Sequence, residues 1–199
     1  RYLATARKLG VVNDGQGLDY FIPEESKIGE KDLPMSHSAG YISFVIGGTK
    51  GTKKMPVEKW KQLCSQIDYP IILQGGPEDT AVAEELALID PIRIYNSCGK
   101  FSLHESADII RFAKVVVTHD TGLMHIAAAY KRKIVSIWGN TTPSLGMFPY
   151  FGYNNLKSNV SPDSLLAENS KLRCRPCSKI GYDKCPKGHF KCLNNIDLS

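Results

Sequence analysis

One segment of the chain brings together side chains that are well suited to holding an anionic ligand. It reads THDTGLMH over residues 118–125 and continues from the apolar run KVVV. Asp120 is a suitable N-cap for a helix that starts with Thr121 and Gly122, and the first turn of a helix has unpaired N–H groups and a partial positive charge. His125 comes four residues after Thr121, so both side chains share one helix face. The segment therefore predicts a ligand-binding helix N-terminus.

The same segment has a second interpretation. A lone histidine on a helix is more often a buried side chain with satisfied hydrogen bonds than a ligand contact, and Asp120 would then be an ordinary cap. We favour the functional interpretation because the acid, the hydroxyl, the glycine and the histidine coincide directly after an apolar run typical of a strand.

The elements that position this segment follow an alternating pattern of short apolar runs and amphipathic stretches. Strands are predicted in YISFVIGG, YPIILQGG, PIRIYNSCG, KVVVT and KIVSIWG, and helices in PVEKWKQLCSQI, PEDTAVAEELALI, SLHESADIIRFA and TGLMHIAAAYK. Continuous apolar strands separated by helices are typical of a parallel sheet that is covered on both faces. The predicted fold class is therefore α/β, a Rossmann-like parallel sheet flanked by helices, in which ligands bind beyond the carboxyl ends of the strands.

Other predicted strand ends carry polar side chains as well. The first is followed by GGTKGTKKMP (47–56), in which Thr49, Lys53 and the glycines suit a phosphate group. The spacing is not that of a P-loop, and an exposed turn explains this segment equally well. The second is followed by Asp79, which either accepts hydrogen bonds from sugar hydroxyls or supports a helix N-terminus. The third is followed by Phe101, which lies either at the same rim or in the core. Together these ends favour a ligand that contains a diphosphate.

Composition is that of a soluble globular protein, with 42% hydrophobic and 23% charged residues among 199, and no apolar run approaches the length of a membrane span. The net charge of +5 is concentrated near the C-terminus, because residues 171–192 contain seven Lys and Arg but only one acid, Asp183. Such a patch suits phosphate, an anionic membrane surface or nucleic acid, and a solvated loop is the alternative interpretation.

Cysteine use is uneven too. Cys64 and Cys98 lie in apolar segments and are predicted to be buried thiols. The remaining four share the basic tail with His189 and are candidate ligands of a structural zinc, namely Cys174, Cys177, Cys185 and Cys192. The first two form a C-x2-C pair but the last two do not, so free thiols and disulfides formed on isolation remain alternatives.

Several of these motifs together resemble glycosyltransferase family 9, the lipopolysaccharide heptosyltransferases. The similarity lies in DTGLMH with IAAAYKRKIVSIWGNTTP after it, and earlier in GTKGTKKMP, GGPED and GKFSL, in the family's order and spacing over about residues 1–196. The resemblance implies a GT-B architecture, in which two Rossmann-like domains face a cleft. It identifies this chain as the C-terminal, donor-binding half.

The resemblance also implies roles for individual residues. Phosphate contacts would come from Thr49 and Lys53, and ribose contacts from Asp79 or its neighbour Glu78. The backbone around Phe101 would contact the adenine. The donor-binding turn and helix would be formed by Asp120, Thr121, Gly122 and His125. Two positions depart from the family pattern: Met55 stands where a Trp is common, and His119 stands where Asn is common.

The implied function is inverting transfer from a nucleotide sugar, with ADP-heptose favoured, to a lipopolysaccharide core acceptor. The general base is expected in an N-terminal domain that is not in this sequence, so no catalytic residue is predicted within the chain. The implied partners are the nucleotide sugar, a lipid-linked saccharide acceptor, the protein's own N-terminal domain and an anionic membrane. The enzyme is expected in the cytoplasm, at the inner face of that membrane. No cofactor is expected to be required, and the structural zinc is the one bound group predicted besides the donor.

The predicted organisation has three parts: a linker and lead-in segment (1–40), a Rossmann-like nucleotide-sugar-binding domain (41–170) and a basic Cys-rich tail (171–199). Two other functions remain open from the sequence. One is a different GT-B enzyme, such as a nucleotide-sugar 2-epimerase. The other is a non-catalytic module that binds nucleic acid or an anionic membrane through the tail, with nucleic acid the less favoured partner.

Overall fold

A computed structural model of the protein describes residues 3–152 and 164–198. Its centre is a six-stranded sheet in which all strand pairs are parallel. The strands, in chain order, are β1 (Ile42–Val45), β2 (Ile71–Gln74), β3 (Ile94–Asn96), β4 (Val115–His119), β5 (Lys133–Trp138) and β6 (Ser164–Glu168). The predicted Rossmann-like parallel sheet is confirmed.

Helices cover both faces of this sheet. The α-helices are α1 (Val57–Gln66), α2 (Thr80–Ala87), α3 (Leu103–Phe112), α4 (Gly122–Ala129) and α5 (Lys191–Asn194), and the 3-10 helices are Leu3–Leu9, Glu24–Ser26, Glu30–Asp32, Met35–His37, Gly51–Lys53, Pro77–Asp79 and Pro143–Leu145. One core lies between the sheet and α1, α2 and α5, and the other lies between the sheet and α3 and α4. This double coverage explains why β2 is buried along its whole length.

Local features accompany the starts of α3 and α1. Ser102 accepts a hydrogen bond from the Glu105 N–H at the start of α3, and the Glu105 carboxylate accepts one from the Ser102 N–H, so the two residues form a capping box. Pro56 precedes α1 as its N-cap. Trp60 and Cys64, one turn apart on α1, are both buried in the first core.

The strand order β3-β2-β1-β4-β5-β6 places β1 and β4 side by side in the middle of the sheet. From β1 the chain proceeds outwards to β2 and β3 and then returns to β4 on the other side. The order therefore reverses between β1 and β4, and the crevice beyond their carboxyl ends is where open α/β sheets bind ligands. The loop 47–56 and the turn after β4 meet at this crevice.

Two elements are not predicted from the sequence. Strand β6 is an edge strand that pairs with β5, bringing Glu168 opposite Trp138. Helix α5 lies in the Cys-rich tail and places Cys192 and Leu193 in the first core. The predicted 41–170 domain includes residues 153–163, which lie outside the described part of the chain. Among the described residues, no helix combines the length and the apolarity that crossing a bilayer requires.

Candidate functional site

Helix α4 begins one residue later than the sequence suggests. Thr121 has extended backbone angles and is the N-cap, and the helix starts at Gly122. Asp120 is therefore not the cap, and no side chain makes a capping hydrogen bond at this N-terminus. The Thr121 hydroxyl is instead 3.2 Å from the hydroxyl of Thr118, the penultimate residue of β4. A β-carbon built on Gly122 would have no heavy atom within 4 Å, so the space beside the first residue of α4 is open.

The Asp120 carboxylate organises the neighbouring loops instead of capping the helix. Its Oδ2 atom is 2.8 Å from the Lys53 ammonium and 2.9 Å from the Thr141 hydroxyl, which donates to it. Lys53 also approaches the Asp120 carbonyl at 3.4 Å. The carboxylate is 6% exposed and Thr141 is buried, so the loops after β1, β4 and β5 share one nearly dry polar contact. This competing partnership explains why Asp120 does not fold back onto the helix.

His119 closes the other side of the loop 47–56. Its Nε2 accepts the Met55 N–H at 2.8 Å, which leaves the proton on Nδ1, and Nδ1 faces the Gly47 carbonyl at 3.4 Å. The ring is fully buried and meets the Trp60 indole edge-on at 5.3 Å between centroids. Burial lowers the pKa of His119 to about 4, so the imidazole is neutral at physiological pH. His119 thus joins the two ends of the loop that carries Lys53.

Asp79 is held by two contacts within the protein. Its Oδ1 is 2.6 Å from the Lys54 ammonium, and its Oδ2 accepts the Gly76 N–H at 3.0 Å. A β-carbon on Gly47 would lie only 2.6 Å from the same Oδ2, which requires glycine at this strand end. The predicted ribose acid therefore also fixes the geometry of two strand ends, while its neighbour Glu78 is exposed.

Three further predicted residues occupy different surroundings. Thr49 is exposed at the tip of the loop, Phe101 is partly buried against the core that α3 and α4 form, and His125 is partly buried one turn into α4. Burial lowers the pKa of His125, while Asp120 raises it and Lys53 lowers it by smaller electrostatic effects. The structure thus gathers Lys53, Asp120 and His125 at one place, with Thr121 and Gly122 beside them. Phe101 lies after β3, further along the sheet.

The Cys-rich tail is attached to the same strand ends. The Thr52 N–H and hydroxyl both donate to the Tyr182 carbonyl, at 2.9 and 2.8 Å, and the Tyr182 N–H lies 2.7 Å from that hydroxyl. The Cys177 N–H donates to the Asn140 carbonyl at 3.0 Å. Arg175, with 3% of its side chain exposed, binds carbonyl groups of the turn after β5. Buried thiols are confirmed at Cys64 and Cys98.

The four tail cysteines are not arranged as a metal site. Among the described residues, no three His, Cys, Asp or Glu side chains are close enough together to hold a metal ion. The Cys177 thiol donates to the Cys174 carbonyl, and Cys192 is buried in the first core. His189 Nδ1 accepts the Lys191 N–H, which places the proton on Nε2, the atom 3.9 Å from Cys174 Sγ. In this arrangement the residues do not fit zinc.

Sequence reasoning missed several residues that shape the site. Thr141 and Arg175 act through contacts between segments far apart in the chain, and no local pattern marks them. The role of His119 could have been suspected from its position at the end of the strand Val115–His119, after three valines and Thr118, because a buried strand end requires a partner for each polar atom. Lys54 adjoins the predicted Lys53 but pairs with a different acid.

The arrangement has the properties of an anion site. The uncapped N–H groups at the start of α4 and the Lys53 ammonium lie beside the crevice between β1 and β4, where the strand order of the sheet reverses. The Lys53 ammonium has three N–H donors. Among the described residues, its contacts are with the carboxylate and the carbonyl of Asp120, which use two donors and leave one for a ligand. The chemistry suits a diphosphate more than an apolar ligand.

Comparison with known proteins agrees with this chemistry. The chain matches the model of glycosyltransferase family 9 (heptosyltransferase) over residues 4–175. It is 36% identical to lipooligosaccharide heptosyltransferase 2 of Haemophilus influenzae over 161 residues, which cover 72% of this chain and 46% of that protein. The structure of the E. coli heptosyltransferase WaaC with ADP shares 29% identity, with a TM-score of 0.54 over 68% of this chain and 39% of that chain.

A glycosyltransferase family 9 structure from Veillonella parvula is similar in fold, with a TM-score of 0.64 and 21% identity over 96% of this chain and 54% of that one. The chain spans about half the length of the curated relatives that it matches.

Proposed function

The chain belongs to glycosyltransferase family 9, and from this premise we propose that it is the donor-binding half of a GT-B glycosyltransferase. The donor is a nucleotide sugar, with ADP-heptose favoured because a relative has been solved with ADP and another structure of it holds ADP-2-deoxy-2-fluoro heptose. The reaction is inverting transfer of the sugar to a lipopolysaccharide core acceptor. The general base and much of the acceptor site belong to the N-terminal half of the enzyme.

The observation that carries the proposal is the uncapped start of α4 beside the Lys53 ammonium. The leaving diphosphate gains negative charge as the bond to the sugar breaks, so donors aimed at it lower the barrier to transfer. The N–H groups of the first turn of α4 and Lys53 supply such donors without any rearrangement of the backbone. Asp120 keeps Lys53 oriented, and Thr49 extends the phosphate contacts from the tip of its loop.

His125 has a separate role in this proposal. Its imidazole lies one turn beyond the N-terminus of α4, and burial keeps it neutral at physiological pH. A neutral imidazole donates one hydrogen bond and accepts another, so it can bind a phosphate oxygen or a sugar hydroxyl without adding charge. Thr121 and Gly122 bring the backbone close to the same ligand.

The nucleoside would extend along the sheet from β4 towards β3. Two acids are candidates for the ribose hydroxyls: Asp79, whose carboxylate also binds Lys54 and Gly76, and the exposed Glu78 beside it. The backbone around Phe101, after β3, is the candidate adenine contact. Replacing each acid by its amide, Asp79→Asn and Glu78→Gln, would show which one the ribose uses.

Titration calorimetry of the chain with ADP and with UDP tests the proposal. We expect ADP to bind more tightly than UDP, with one site per chain. Absence of binding to both nucleotides, together with salt-sensitive binding of an RNA oligonucleotide, would instead favour the non-catalytic module. Binding of UDP in preference to ADP would overturn the choice of nucleotide while leaving the family unchanged.

Two features of the tail can be tested by separate experiments. Peripheral contact with an anionic membrane at its cytoplasmic face is proposed from the exposed tail lysines, and flotation with anionic and neutral vesicles would detect it. A structural zinc at the four tail cysteines stays a prediction from the sequence alone. Elemental analysis tests it, since one zinc per chain supports the prediction and none refutes it.

A further inference from the structure

Arg175 is a buried cation in the Cys-rich tail, more than forty residues away in sequence from every residue assigned to the donor site. Its guanidinium directs all its polar atoms at other groups. Nε donates to the Gly139 carbonyl, Nη1 to the Asn169 carbonyl at 2.8 Å, and Nη2 to the Thr141 carbonyl at 2.8 Å and the Trp138 carbonyl at 3.3 Å. Its charge is balanced by Glu168, whose carboxylate lies 3.0 Å from Nη2.

These contacts fix the turn that follows β5. Three of the carbonyl groups that Arg175 binds belong to residues 138–141, the last residue of β5 and the turn after it. A planar guanidinium can bind several carbonyls in a set geometry, which a lysine ammonium cannot reproduce. Gly139 lies so close to the loop 47–56 that a β-carbon there would be 2.5 Å from the Thr52 carbonyl. The turn is thus packed directly against the loop that carries Lys53.

Thr141, the last residue of this turn, orients the carboxylate of Asp120 through its hydroxyl. Thr141, held through its carbonyl by Arg175, donates its hydroxyl to Asp120 Oδ2, and the same oxygen receives the Lys53 ammonium. Every link in this sequence of contacts is buried or nearly so. A shift of the turn would therefore move Asp120 and the ammonium that depends on it.

We propose that Arg175 is a positioning residue for the diphosphate half of the donor site. It acts through the turn 138–141 and Thr141, which together set the position of the Asp120–Lys53 pair. The proposal rests on the proposed function for its ligand, but the positioning itself is a property of the chain without ligand. The Cys-rich tail is then part of the donor site and not only a basic surface.

The test compares Arg175→Lys with Arg173→Lys, which alters an exposed arginine of the same tail. We expect Arg175→Lys to weaken ADP binding by about tenfold while leaving adenosine binding within twofold, because adenosine lacks the diphosphate. Arg173→Lys should change neither. Equal losses of ADP and adenosine would indicate a general structural defect and overturn the proposal, as would unchanged ADP binding.

Amide hydrogen exchange provides a readout that needs no ligand. We expect faster exchange in Arg175→Lys over residues 138–142 and 51–55, with no change in β2, and unchanged exchange in the first two segments would overturn the proposal. If wild-type chain fails to bind ADP, the proposed function fails and exchange still decides the positioning. Should Arg175→Lys not fold, Thr141→Val provides a second test because it removes only the hydroxyl link. We expect this variant to show the same selective loss of ADP binding and faster exchange over residues 51–55. Unchanged ADP binding and unchanged exchange in Thr141→Val would refute the linkage.

Discussion

Lowering the pH from 7 towards 4 should destabilise this chain through one imidazole in particular. His119 is fully buried, accepts the Met55 N–H at Nε2 and faces the Gly47 carbonyl with Nδ1. Protonation of Nε2 would place two N–H groups against each other and introduce a charge in a fully buried position beside Trp60. The loop 47–56 would lose one of the two contacts that hold its ends.

The magnitude follows from the two protonation equilibria. The pKa of His119 is lowered from 6.5 to about 4, chiefly by burial. Between these values the unfolded chain binds more protons than the folded chain, so stability falls as the pH falls from about 6.5 and the loss levels off below about 4. About 1.4 kcal/mol accompanies each pKa unit, which gives a total loss on the order of 3 kcal/mol.

Urea denaturation at intervals from pH 7.5 to 4.5 measures this loss. Carboxylates and the other imidazoles with a lowered pKa, His37 and His125, also contribute to acid destabilisation. The informative quantity is therefore the difference in the free energy of unfolding between wild type and His119→Asn. Asparagine offers the Met55 N–H an acceptor that gains no proton. We expect the free energy of unfolding of wild type, relative to that of His119→Asn, to fall by about 2–3 kcal/mol as the pH falls across this range. His104→Asn, at an exposed histidine, serves as control, and a wild-type advantage that stays constant with pH would refute the reasoning.

Other predictions concern the site and the tail. Lys53→Met should weaken ADP binding by about 10- to 100-fold, the cost of losing a charge-assisted hydrogen bond, whereas Lys171→Met should not alter the calorimetric Kd. His125→Ala should weaken ADP-sugar binding by up to about tenfold with an unchanged denaturation midpoint, and an unchanged Kd would remove it from the site. Leu193→Ala should lower the free energy of unfolding by about 2–5 kcal/mol in urea denaturation, against less than about 0.5 kcal/mol for the exposed Asn195→Ala; a small effect at Leu193 would show that the tail does not contribute to the core.

The regular elements near the site could be predicted because their signals are local. Apolar runs bounded by glycine give β1, β2, β4 and β5, and the spacing of Ser102 and Glu105 gives the start of α3. The parallel order of the strands then follows from the βαβ connections, which place successive strand ends along one edge. That edge is where the sequence locates Lys53, Asp120 and His125, and the structure gathers these three residues.

The remaining features depend on contacts between distant segments. Asp120 looks like an N-cap from its neighbours, yet Lys53 and Thr141 occupy its carboxylate, and the helix begins one residue later. The basic tail looks like a solvated patch, yet Arg175 is buried within the fold. Strand β6 has no strong strand pattern because it lies at the sheet edge, where only one neighbour stabilises it.

Two of the three lysines of the loop 47–56 are paired with buried carboxylates, Lys53 with Asp120 and Lys54 with Asp79. Each pair is close to neutral, so the crevice attracts a diphosphate less by net charge than by donors already in place. A diphosphate that binds Lys53 must also approach the Asp120 carboxylate, which repels it. The uncapped N–H groups of α4 offset that repulsion, and Thr141 draws the carboxylate charge towards the turn after β5. In the proposed donor site, the affinity for the donor would therefore depend on the position of Asp120 as much as on the presence of the ammonium, and the proposed role of Arg175 acts through that position.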